Sequence, residues 1–109
     1  MEIETLSPEF SISAQILPKE MAAIRSAGFR AIICNRPDGE SPGQPAFAEI
    51  ERAARTNGVE ARYVPVDISG VTPDDVNDFA AALADLPRPV LAYCRSGKRS
   101  AALWSRLSS

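Results

Sequence analysis

The chain has 109 residues, 45% hydrophobic and 24% charged, the balance of one globular domain with room for a core. A net charge of −2 gives no electrostatic footprint for nucleic acid or an anionic membrane, and no apolar run approaches the ~20 residues that span a bilayer. Histidine is absent, which removes Ser-His-Asp and Cys-His catalysis, and two cysteines alone do not make a zinc site. With no apolar leader in MEIETLSPEF, the two cysteines are expected as free thiols in a reducing, cytoplasmic setting, with no metal or cofactor.

In chain order, residues 10–16 alternate Phe10, Ile12, Ala14 and Ile16, the period of a short strand. Pro18 opens a helix with a narrow apolar stripe, Met21, Ile24 and Ala27, and Gly28 as its stop. FRAIIC, residues 29–34, reads as a buried strand. NRPDGESPGQP, residues 35–45, holds three prolines and two glycines and reads as a constrained loop. A helix over about 46–57 comes next, with Phe47, Ile50 and Ala54 on one face and Gly58 after it. EARYVPV, 60–66, is a strand, and DISG, 67–70, a loop. Thr72, Pro73, Asp74 and Asp75 supply the cap, the N1 proline and the acids of a helix start; Val76, Phe79, Ala80 and Leu83 form that helix's apolar face. PVLAYC, 89–94, is a further strand, and a short last helix begins near Arg99 or Ser100, with Trp104 in its packed face.

Strands alternate with helices, so the expected fold is α/β: one domain over 1–109, whole or trimmed from a longer chain, with a mainly parallel sheet of about four to five strands between helices. Sites in such sheets form at the carboxyl ends of the strands, which puts the loops 35–45, 67–70 and 94–99 on one rim.

The last of these loops carries the chemistry. AYCRSGKRSAALW runs from a strand through Cys94, Arg95, Ser96, Gly97, Lys98 and Arg99 to Ser100 and a helix. Successive N–H groups in such a turn form an anion-binding nest, and the helix adds its own free N–H groups and dipole. Gly97 permits the turn, and Arg99 offers a guanidinium fork to an oxyanion. A thiol in that cradle shifts toward thiolate, the nucleophilic form, without any histidine. Two chemistries use such a cradle, phosphoryl transfer to cysteine and sulfur transfer through a cysteine persulfide. Phosphatases place five residues between Cys and Arg; here there are four, so Ser100 stands where a phosphatase arginine would be, and the loop resembles that of the rhodaneses.

FSISAQILPKEM, FRAIICNRPDGESPGQP, YVPVDISGVTPDDV and PVLAYCRSGKRSAALW together resemble the phosphatase-like domain of the beta-lactamase hydrolase-like proteins, over about residues 10–104. The resemblance implies a dual-specificity-phosphatase-like fold with a rhodanese-like loop, and a persulfide dioxygenase domain or protein as partner. The main functional expectation is a sulfurtransferase in which Cys94 takes sulfur from thiosulfate or a small persulfide. The alternative is a phosphoester hydrolase working through a Cys94 phosphocysteine, with Asp67 as general acid. A non-catalytic anion-binding module is the lesser alternative. Arg95, Ser96, Gly97, Lys98 and Ser100 are expected in the anion loop. Arg36 and Asp38 are placed on the rim, as substrate contacts or as a loop pin through an ion pair. Cys34 is read as a buried strand cysteine, with persulfide resolution or a disulfide as its other readings.

Overall fold

The computed structural model describes residues 1–108. Strands β1 (Ile3–Ser7), β2 (Phe10–Ser13), β3 (Ala31–Cys34), β4 (Glu60–Tyr63) and β5 (Val90–Tyr93) form one sheet in the order β1-β2-β5-β3-β4. The pairs β2–β5, β5–β3 and β3–β4 are parallel, and β1 alone runs antiparallel, against β2. A 3-10 turn (Pro18–Glu20) leads into α1 (Met21–Ser26); α2 (Phe47–Thr56), α3 (Pro73–Asp85) and α4 (Lys98–Ser108) complete the domain.

The two central strands β3 and β5 are buried at every position. Helices cover both faces of the sheet, which is why these segments are continuous apolar runs and not alternating ones. On one face Ile32, Cys34, Leu91 and Tyr93 pack with Met21 and Ile24 of α1 and Ile50 and Ala54 of α2. On the other, Phe10, Ile33, Val90 and Ala92 meet Phe79 and Leu83 of α3 and Leu103 of α4. Trp104 stacks on Phe10 there, with ring centroids 4.4 Å apart. The start of α3 is as expected: Thr72 Oγ1 accepts from the Asp75 N–H, and the Asp75 carboxylate accepts from the Thr72 N–H. Such a capping box is worth about 1 kcal/mol.

The differences from the sequence reading lie at edges. Strand β1 is an element the sequence pattern does not predict, because three of its five residues, Glu4, Thr5 and Ser7, are polar and none is fully buried, which an edge strand tolerates. Strand β2 ends at Ser13, so Ala14 and Ile16 lie beyond it. On α3 the buried residue is Ala82 and not Ala80, which is only half-buried. Helix α4 begins one residue earlier than expected, at Lys98. Among the described residues no helix is long and apolar enough to cross a membrane.

Candidate active site

Strands β2, β3 and β5 end side by side, and the loops after them meet. Cys94 comes directly after β5, fully buried. The chain then turns through Gly97, at φ +93°, and enters α4. A Cβ on Gly97 would sit 3.4 Å from the Ser13 carbonyl oxygen, so the turn presses against the end of β2. The Gly97 N–H donates to Cys94 Sγ at 3.0 Å. The N–H groups of Ser96, Arg99 and Ser100 also face the sulfur. Burial alone pushes the Cys94 thiol up and is the largest single influence on it; the four amides together outweigh it and hold the thiol below its ordinary value.

Arg99 projects from the first turn of α4 across the rim. Its Nη1 donates to Glu40 Oε2 at 2.6 Å and to the Val66 carbonyl at 2.8 Å, and its Nη2 donates to Glu40 Oε1 at 2.9 Å. A guanidinium has five N–H groups. Three are taken, and the two that remain, on Nε and Nη2, share one edge. Arg99 also interacts with the Cys94 sulfur. Glu40 is shared, because Arg36 Nε donates to its Oε1 at 3.1 Å. The two guanidinium groups hold the Glu40 carboxyl below the usual range, Arg99 contributing most.

Arg36 is 5% exposed and donates further to Gln15 Oε1 and Ser41 Oγ, so it pins the 35–45 loop to the end of β2. The ion pair in that loop therefore forms with Glu40 and not with Asp38. Asp38 instead accepts the first N–H of α2, from Phe47, while its own N–H donates to the Tyr63 hydroxyl. Ser100 uses its hydroxyl neither on the thiol nor as a cap: it donates to Asn35 Oδ1 at 2.8 Å, fully buried, and only its amide faces the sulfur. Asn35 in turn donates to the Val64 carbonyl. Asp67 stands on the rim, but its carboxylate accepts the Ser69 N–H, and the Ser69 hydroxyl first and then that N–H hold it below its ordinary value. The side chains of Arg95 and Lys98 are exposed.

Sequence reasoning thus brought together the loops that do meet, and missed Glu40 and Asn35. Glu40 lies inside the NRPDGE motif, and the signal was chemical: two arginines entering one rim need a carboxylate between them. Cys34 lies one strand away from Cys94, its thiol donating to the Arg36 carbonyl at 3.2 Å, and both cysteines are free. An apolar groove of about 420 Å³, lined by Phe10, Leu83, Trp104 and Leu107, lies at the start of β2 and touches none of the groups around Cys94.

The comparisons with known proteins agree with this architecture. A beta-lactamase hydrolase-like protein of Agrobacterium fabrum is 31% identical over 104 residues, 95% of this chain and 24% of its own length. One from Xylella fastidiosa is 35% identical over 105 residues, 96% of this chain and again 24% of its own length, so the chain spans about a quarter of these relatives. A crystal structure from Neisseria meningitidis, provisionally described as a phosphatase, superposes with TM-score 0.87 at 37% identity, covering 95% of this chain and 74% of that one. The catalytic core of a PP-IP phosphatase from S. cerevisiae shares the fold, with TM-score 0.72 at 16% identity over 93% of this chain and 60% of that one. The sequence pattern of the beta-lactamase hydrolase-like protein, phosphatase-like domain matches residues 2–108, and the chain belongs to that family.

Proposed function

We propose that this domain is a cysteine-dependent hydrolase of phosphate esters or anhydrides. The observation that carries it is the convergence of four loop amides on the buried Cys94 sulfur, with the Arg99 guanidinium beside it interacting with the same sulfur. Cys94 attacks as thiolate: an S–P bond forms, the P–O bond to the leaving group breaks, and the leaving group departs with the electron pair. Water then attacks phosphorus, releasing inorganic phosphate, its proton passing to solvent, and restoring the thiolate. The amides and Arg99 bind the phosphoryl oxygens, whose charge the transition state redistributes. Exposed Arg95 and Lys98 add attraction for an anion. Asp67, ionised and bonded to Ser69, is a poor proton donor as it stands. The favoured substrates are therefore those whose leaving group departs as a stable anion.

A second reading, sulfur transfer, is favoured by one specific observation, the four-residue spacing from Cys94 to Arg99. There the thiolate attacks the sulfane sulfur of thiosulfate, an S–S bond forms as another breaks, and sulfite leaves with the electron pair. A thiol or cyanide then takes the sulfur, and a persulfide dioxygenase is the fitting partner. This path needs no acid.

One paired experiment separates the readings. Wild type and Cys94→Ser are assayed on aryl phosphates and phosphoanhydrides, and their intact masses are measured after thiosulfate or glutathione persulfide. Phosphate release that depends on Cys94 is the expected result. A gain of one sulfur on wild type only, lost on adding cyanide, with no phosphate release, replaces it by the transferase. Anion binding with neither activity leaves a binding module.

A further inference from the structure

The loop is one residue shorter than a phosphatase loop, yet its arginine still reaches the sulfur. Consecutive residues on a helix point about 100° apart. The residue at the phosphatase position is Ser100, whose side chain turns to Asn35 in the buried interior. Arg99, one residue earlier, points elsewhere around α4, and its backbone alone does not aim it. Its end is instead gripped from outside by both oxygens of Glu40 and by the Val66 carbonyl. Glu40 is itself held by Arg36, which Gln15 and Ser41 fix in place with little exposure to water. A bidentate grip fixes the plane of a guanidinium as well as its position.

We propose that Glu40 is a positioning residue that aims the remaining edge of Arg99, the one not taken by Glu40 and Val66, at an anion bound over Cys94, and so compensates for the shortened loop. It touches no substrate and acts through Arg99. The inference rests on the anion-cradle reading above. It requires that Glu40 matter for holding an oxyanion and much less for making the thiolate, because the thiolate is held by backbone amides.

The test is protection of Cys94 from iodoacetamide by tungstate, a tetrahedral oxyanion, in wild type, Glu40→Gln, Glu40→Asp, Arg99→Lys and the Glu40→Gln/Arg99→Lys double variant. In Glu40→Gln the half-protecting tungstate concentration is expected to rise about tenfold, as for a displaced anion ligand. The alkylation rate without tungstate should change less than about threefold. Glu40→Asp, which keeps the charge but shortens the reach, should fall between the two and guards against a misfolded glutamine variant. In the Arg99→Lys background Glu40→Gln should add little, since the fork it aims is gone. Unchanged protection in Glu40→Gln, or an equal loss with and without Arg99, overturns the inference. Wild type unprotected by tungstate overturns the anion-cradle reading itself, and the positioning role with it.

Discussion

Cys34 and Cys94 stand at the ends of neighbouring parallel strands, and both are buried, 3% and 0% exposed. Their chemistry is opposite. Burial pushes the Cys34 thiol up, and the Tyr93 hydroxyl and the Arg36 backbone beside it do not offset that. Burial acts on Cys94 as well, but four amides reverse it. The difference lies in the path of the backbone beyond each cysteine. After Cys34 the chain leaves through Arg36 and Pro37, and proline has no N–H to offer. After Cys94 it doubles back through Gly97 into a helix whose first amides are free to point inward. What lowers the Cys94 thiol is backbone direction, not exposure or a neighbouring base.

The comparison breaks most severely if Cys94 is removed. Cys94→Ser should lower turnover of whichever substrate class proves right by about 10³-fold or more, as loss of a nucleophile does, whereas Cys34→Ala should leave it within about twofold. Steady-state kinetics on both variants decides this, and comparable losses would erase the distinction.

Alkylation against pH sharpens the contrast. Cys94 should be modified in the native protein with a midpoint below the ordinary thiol value of about 8.5, and Cys34 only on unfolding. Stability carries the same sign: a thiol whose folded value is lowered contributes stability above its unfolded value and loses it as pH falls through the folded one. Peptide mapping after timed iodoacetamide treatment reads both thiols at once.

Gly97→Ala probes the turn. The φ of +93° strains an L residue by about 1–2 kcal/mol. The 3.0 Å amide bond to sulfur should lengthen, so Cys94 alkylation at neutral pH should slow about tenfold, one unit of thiol pKa. A rate equal to wild type would mean that the remaining amides suffice.

The smallest effect is expected at Ser100. Ser100→Ala leaves its amide on the thiolate but strands Asn35 Oδ1 in the interior, for a cost of about 1–3 kcal/mol with little change in thiol reactivity. Denaturant melts beside alkylation rates separate the two.

Much of this was legible because it is local. The apolar runs of β3 and β5, the Thr72–Pro73 cap and the Cys94–Ser100 cradle each depend on neighbours within a few residues, where spacing and backbone geometry are nearly the whole cause. Strand β1 was not legible, since Glu4, Thr5 and Ser7 weaken the pattern and only pairing with β2 makes it a strand. Asp38 and Glu40 could not be ranked from the sequence either. They lie two residues apart in one loop, and which of them meets an arginine depends on how that loop lies across the rim.

By itself the sequence determined that this protein is an α/β domain with a thiol in an amide-lined loop, because those properties are written in short-range patterns. Tertiary structure alone decided what holds the arginine beside that thiol. Glu40 and Arg99 are 59 positions apart, Val66 and Arg99 33, and Asn35 and Ser100 65. No period or cap encodes such pairs; they exist because parallel strands deliver distant loops to one edge of the sheet, where buried charges and polar groups must find partners.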